Sequence, residues 1–143
     1  MPWLGTVTAV GIIALAVLIW LFLRARKQDM LAEIVAKRKP SSRIVCRASY
    51  TGGMEAIPVV LSLSSDAIYY ENTDLNASFE LNNIDEVEYD DELATGHAVS
   101  EGCRVLRLRS HGAAFEFILS DADAKQLMAA LPARRAGETA AAV

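Results

Sequence analysis

The sequence predicts an α+β, mainly β protein: one N-terminal transmembrane helix, then a seven-stranded antiparallel barrel capped by a C-terminal helix. Three observations carry this. Residues 2 to 23 contain no charged side chain. From Ser41 onward, apolar positions recur with a period of two, broken by short polar turns. After Ser120 the period returns to that of a helix. The organisation that follows is a transmembrane helix over 1–23, a basic amphipathic juxtamembrane helix over 24–40, a β domain with its C-terminal helix over 41–132, and a disordered tail over 133–143.

The uncharged run spans about 33 Å as a helix, enough for a hydrocarbon core of about 30 Å. A secretory signal places its basic residues before a shorter apolar segment and small residues after it. Here Arg24, Arg26 and Lys27 follow the run, which marks a retained anchor and, by the positive-inside rule, a cytoplasmic C-terminal side. The expected location is the cell's inner (cytoplasmic) membrane, single-pass, with the N-terminus outside. Trp3 and Trp20 fall near the two ends of the run, where indole rings favour the interface. Gly5 and Ala9 are four residues apart, with Ala16 near the same face, a spacing that permits close approach of another helix.

The overall charge of −4 conceals a partition. Residues 24 to 40 carry six basic residues (Arg24, Arg26, Lys27, Lys37, Arg38, Lys39) against two acidic ones, whereas residues 41 to 132 carry six against fifteen. The first stretch is a collar for anionic lipid headgroups, each cation near such a surface contributing about 1 kcal/mol. The acidic domain beyond it excludes nucleic acid as a partner. Within the collar, Met30, Leu31, Ile34 and Val35 cluster at helical spacing, so the helix runs on from the anchor and either packs on its own domain or lies in the headgroups. Pro40 ends it.

The strands follow in order. "RIVCRASYT" alternates Ile44, Cys46, Ala48 and Tyr50 against Val45, Arg47, Ser49 and Thr51, and Gly52-Gly53 forms a hairpin turn. "AIPVVLSLS" returns, with Pro58 expected at an edge or bulge because it donates no ladder hydrogen bond. "SSDA" turns into "IYYEN". "SFELNNIDEVEYD" supplies two more strands, with Phe79, Leu81, Ile84, Val87 and Tyr89 covered and a bulge or break at Asn82-Asn83. "CRVLRLRS" and "AAFEFIL" pair across the tight connection His111-Gly112, facing Leu106 and Leu108 toward Phe115, Phe117 and Leu119. In "SDADAKQLMAALP", Ser120 caps a helix with Asp123 three residues on, the apolar stripe is Ala124, Leu127, Met128 and Leu131, and Pro132 stops it.

Seven short strands followed by one amphipathic helix resemble the pleckstrin-homology-like superfold, especially its bacterial and GRAM-type members, over roughly residues 43 to 132. The stretches that carry the resemblance are "LSLSSDAIYYEN", "FELNNIDEVEY" and "FEFILSDADAKQLMAAL". It implies two nearly orthogonal sheets with the helix plugging one open end, and a binding module for lipid, peptide or protein. Members that bind phosphoinositides concentrate Lys and Arg on the first two strands and their loop. This chain has Thr51-Gly52-Gly53-Met54-Glu55 there, preceded only by Arg43 and Arg47, so that activity is not implied.

Catalytic and metal sites are not expected, nor is a cofactor. "DEVEYDDE" places six acids in eight positions but has no glycine placed to fold them back as a calcium loop, so it is read as a solvated acidic rim. His97 and His111 stand alone and are read as surface residues. "SLSSD" lacks the strand-turn-helix context of a nucleophile elbow. Arg107 and Arg109 share a strand face with Glu116 opposite, a cross-strand ion pair worth under about 1 kcal/mol. Cys46 and Cys103 are read as reduced, small core side chains. Two function classes fit. One is a non-catalytic accessory or assembly subunit of a larger membrane complex, for example respiratory or photosynthetic, contacting integral membrane subunits while its β domain braces the cytoplasmic face. The other is a membrane-tethered module binding a lipid headgroup or peptide. A spanning helix already provides permanent anchorage, which favours the first.

Overall fold

The structure is a computed structural model that describes residues 2–52 and 55–135. Helix α1 runs without interruption from Pro2 to Arg38, and a 3-10 turn, Lys39–Ser41, follows it around Pro40. The juxtamembrane segment is therefore the second half of one rod, which at about 1.5 Å per residue is about 55 Å long. Seven strands come next: β1 (Ile44–Tyr50), β2 (Ile57–Leu63), β3 (Ala67–Glu71), β4 (Asn76–Glu80), β5 (Ile84–Asp90), β6 (Cys103–Ser110) and β7 (Ala113–Ser120). Helix α2 (Asp121–Ala130) closes the fold.

The strands form one antiparallel sheet in the order β4-β3-β2-β1-β7-β6-β5, curled into a half-barrel. The two sheets that the resemblance implies are here halves of one continuous sheet. β1 pairs with β2 along its whole length and with β7 only at Ser49 and Tyr50, so it is the corner that joins the two halves. The amide of Thr51 extends the corner by donating to the Glu116 carbonyl at 3.0 Å. Aromatic side chains join the two halves across the interior. Phe79 on β4 meets Phe115 on β7 with ring centroids 4.6 Å apart, and Tyr70 lies 5.2 Å from Phe117 and 5.3 Å from Phe79. Such pairs add about 0.5–1.5 kcal/mol each beyond their burial.

Local chemistry explains each connection. Ser110 pairs with Ala113, leaving a two-residue loop in which His111 and Gly112 have φ of 52° and 78°. Two positive φ values define the type I′ turn that matches strand twist. The Asn82-Asn83 break is a 3-10 turn, Leu81–Asn83, and a bulge follows between Ile84 and Glu86. Of the Gly52-Gly53 turn, Gly53 lies outside the described residues. Pro58 lies on an inner strand, not an edge; it is tolerated because the β2–β3 ladder begins only at Val60, leaving Pro58 without a β3 partner. Ser120 caps α2, accepting from the Asp123 amide at 3.2 Å and donating to its carboxylate at 2.8 Å.

The inward face collects Cys46, Ala48, Val59, Leu61, Leu63, Ile68, Val87, Leu106, Leu108, Phe117 and Leu119, and α2 plugs it with Ala124 and Leu127, followed by Leu131. Full burial of each large side chain contributes about 1.5–3 kcal/mol. Phe79, Leu81 and Tyr89 are partly buried against this core, and Tyr89 donates to the Leu131 carbonyl at 2.7 Å. The segment after α2 departs from the expected loose tail as far as residue 135. Arg134 pairs with Val87 on the free side of β5, with both amide-to-carbonyl bonds at 2.9 Å, and its guanidinium donates to the carbonyls of Leu81 and Ile84. Residues 136–143 of that tail lie outside the described residues.

Because α2 enters the core through Leu127, which is 1% exposed, Leu127→Asp is expected to unfold the β domain or to lower its stability by at least about 3 kcal/mol. Circular dichroism thermal melts of the purified full-length chain would measure this. A wild-type transition would contradict the plugging role of α2.

Candidate functional site

Three surfaces are candidates for function: the apolar half of α1, the joint between α1 and the sheet, and the charged outer face of β5–β7. In the first, the most apolar eighteen-residue stretch has a mean hydropathy of 2.6 and none of it is buried, so the helix is long and apolar enough to cross a bilayer. Its two hydroxyls are satisfied within the helix, Thr6 donating to the Trp3 carbonyl at 2.8 Å and Thr8 to the Gly5 carbonyl at 3.0 Å. That arrangement leaves neither hydroxyl needing water. Gly5, Ala9 and Ala16 are all exposed, and nothing lies within 4 Å of where a Gly5 side chain would project. Trp3 and Trp20 are exposed, with the Arg24 guanidinium 5.3 Å from the Trp20 ring, in cation–π range.

The basic collar divides. Arg24, Arg26, Lys27, Lys37 and Lys39 are exposed. Arg38 is not part of the collar: its Nε and Nη2 donate to the two carboxylate oxygens of Glu71 at 2.7 and 2.5 Å, and its guanidinium lies 4.3 Å from the Tyr69 ring. The hydrogen bonds from Arg38 to Glu71 push the guanidinium pKa up. Arg38 belongs to the helical face of Leu31, Ile34 and Val35, all half-buried, whereas Lys37 and Lys39 point elsewhere. The spacing 31, 34, 35, 38 is that of one helical stripe, and it was the signal available in the sequence for this contact.

That stripe packs on the outer face of β1 and β2. Of the two placements open to the second half of α1, the structure has it on its own domain. Arg47, Val60 and Glu71 occupy one row across β1, β2 and β3. Gln28 accepts from Arg47 at 3.4 Å near one end of the row, and Arg38 binds Glu71 at the other. The helix therefore crosses the strands. Under it Val60 and Ser62 are fully buried although they point away from the barrel interior, and Ser62 Oγ has no hydrogen-bond partner among the described residues.

On the other half of the sheet, Glu88, Arg107 and Glu116 form a row across β5, β6 and β7. Arg107 donates to Glu116 at 2.9 Å and to Glu88 at 2.8 Å, and it lies 3.5 Å from Asp90. It also donates to the Glu92 carbonyl at 3.1 Å, while Glu116 accepts from the Ala94 amide at 2.8 Å. These bonds draw the 91–102 loop over the sheet, where outward-facing Val105 is fully buried. Arg104 binds Asp121 at 3.0 Å, tying the start of α2 to β6, and Arg109 binds Glu86 at 3.2 Å. The acidic run is thus not a free rim: Glu86, Glu88 and Asp90 interleave with β6 arginines. The Asp91 backbone amide, with Arg107 adding to it, holds the Asp90 carboxyl below the usual range, and Arg104 does the same for Asp121.

Burial pushes the Cys46 thiol up to about 12 and raises the Tyr89 hydroxyl as well. His97 and His111 are exposed, His97 sharing a hydrogen bond with Thr95 at 3.0 Å. Among the described residues no group of three or more His, Cys, Asp or Glu side chains is arranged to hold a metal ion. Compared with family models, curated proteins and solved structures, the chain matches none.

The joint makes a measurable prediction. Arg38→Ala leaves the Glu71 carboxylate, 8% exposed as a residue, without its cation and is expected to cost about 1–3 kcal/mol in denaturant unfolding. Adding Glu71→Gln should recover part of that loss. No loss in the single variant would show that the pair does not hold the helix to the sheet.

Proposed function

We propose that the protein is a non-catalytic, single-pass subunit of a larger membrane assembly, with the N-terminus outside and the half-barrel on the cytoplasmic face. The observation that carries this reading is that the apolar rod and the domain-bound rod are one helix, α1. A tethered module that searches for ligands gains reach from a flexible linker. A helix that continues from the apolar segment into a docked contact gives a fixed height and orientation, as a brace between neighbouring subunits requires. Gly5, Ala9 and Ala16 offer integral partners a face on which backbones can approach closely. Arg24, Arg26 and Lys27 suit anionic headgroups at the boundary and support the proposed orientation. The order of seven strands and a plugging helix supports a pleckstrin-homology-like scaffold used for protein contact, because its first two strands and their loop lack the cluster of cations a phosphoinositide site needs.

Gentle detergent extraction followed by size-exclusion chromatography tests the reading. The protein should elute in a particle much larger than its 15.5 kDa chain, and exchanging residues 2–23 for an unrelated apolar helix should release it. An active C-terminal alkaline phosphatase fusion would overturn the orientation. Elution of the chain alone, combined with headgroup-dependent liposome binding by the β domain, would overturn the assembly role.

A further inference from the structure

Positive charge is scarce in the β domain and most of it is paired with a carboxylate or held by neutral acceptors. Arg38 is held by Glu71, Arg104 by Asp121, Arg107 by Glu88 and Glu116, Arg109 by Glu86 and Lys125 by Asp121. Arg134 is spent on carbonyls and Arg47 on Gln28. Lys39 and Arg43 are exposed and have no carboxylate within ion-pair distance among the described residues. Both line the same groove, about 440 Å³, between the 3-10 turn after α1, the start of β1 and the outer side of α2. Its other walls are Ile44, Val45 and Ala129, which are apolar, and Ser42 and Gln126, which can hydrogen-bond; no carboxylate lines it.

We propose that this groove docks an acidic, partly apolar segment of a partner protein, one Asp or Glu meeting Lys39 and Arg43 while a neighbouring apolar side chain rests on Ile44, Val45 and Ala129. Two unmatched cations in one concavity make a local positive site on a domain whose six basic residues face fifteen acidic ones over residues 41 to 132. The charge complementarity selects an anionic segment. Distance selects protein over lipid. Lys39, just past the end of α1, is fifteen residues beyond Arg24, about 22 Å along the rod, whereas the headgroup region adds only about 5–8 Å on each side of the hydrocarbon core. The proposal rests on the assembly reading above, which supplies a partner on the cytoplasmic side, and adds the site and the chemistry of that contact.

The test places the photo-crosslinker benzoylphenylalanine at Ala129 in the full-length chain within native membranes, with and without Lys39→Glu and Arg43→Glu. Adducts are identified by mass spectrometry. The expected result is an adduct to an Asp- or Glu-rich segment of a co-extracted protein, reduced about tenfold or more by the charge reversal. The reversed variant should keep the wild-type thermal transition, since both residues are exposed. A lipid adduct, an adduct to a segment lacking acidic residues, or any adduct that survives charge reversal would overturn the proposal. If the large particle is present in the extract but Ala129 yields no adduct, the groove is overturned and the assembly reading stands. A chain extracted alone and without adducts removes both.

Discussion

Glu71 sits in β3 with only 8% of its surface exposed, and a carboxylate that far from water is costly unless a cation binds it. Arg38 supplies that cation through two parallel hydrogen bonds, from the last turn of a 37-residue helix. The consequence extends along the rod. Once Arg38 is fixed on β3, the stripe Leu31, Ile34 and Val35 lies over β1 and β2, and the direction of α1 relative to the sheet is set. Ser62 reflects the closeness of that contact: a small side chain lets the helix approach, at the cost of a buried hydroxyl with no partner, typically about 1–3 kcal/mol.

Antiparallel sheets usually leave one face to water. Here part of the outer face is covered as well, by other means than the inner, while Asn76, Ser78 and Glu80 on β4 stay exposed. The inner face is filled by the sheet's own curl and by α2. Outside, the stripe of α1 covers β1 and β2, and the 91–102 loop covers β6 and β7, held by Arg107 and Glu116. Val60 and Val105 point outward and are nonetheless fully buried. The acidic residues that dominate the composition are thus part of the architecture, since Glu86, Glu88, Asp90 and Glu116 each bind an arginine of β6.

Much of this was legible because local periodicity and turn chemistry act over short stretches. The seven strands, the His111-Gly112 turn, the Ser120 cap and the unbroken α1 all follow from neighbours in sequence. What was not legible depends on register and on distant contacts. The run Val59-Val60-Leu61 breaks the alternation and marks a strand covered on both faces, but that α1 supplies the outer cover follows only from the fold. Glu88 meets Arg107 only because the bulge between Ile84 and Glu86 sets the β5–β6 pairing. Arg38 was grouped with Lys37 and Lys39 by adjacency, whereas helical geometry separates it from both. The corner pairs, Ser49 with Ile118 and Tyr50 with Phe117, lie 69 and 67 positions apart, and Arg134 lies 47 from Val87, so none leaves a local signature.

The central claim is that the apolar rod and the half-barrel form one rigid unit through the α1 joint. Double electron–electron resonance would test it directly, with spin labels at Arg26→Cys and Glu101→Cys in a Cys103→Ser background reconstituted in nanodiscs. Both labelled positions are exposed, and Cys46 is buried with its thiol pushed up to about 12. The account predicts a single narrow distance distribution that broadens when Arg38→Ala is added. A broad distribution in the otherwise unaltered chain would mean that the domain swings freely on its anchor, and would contradict the account.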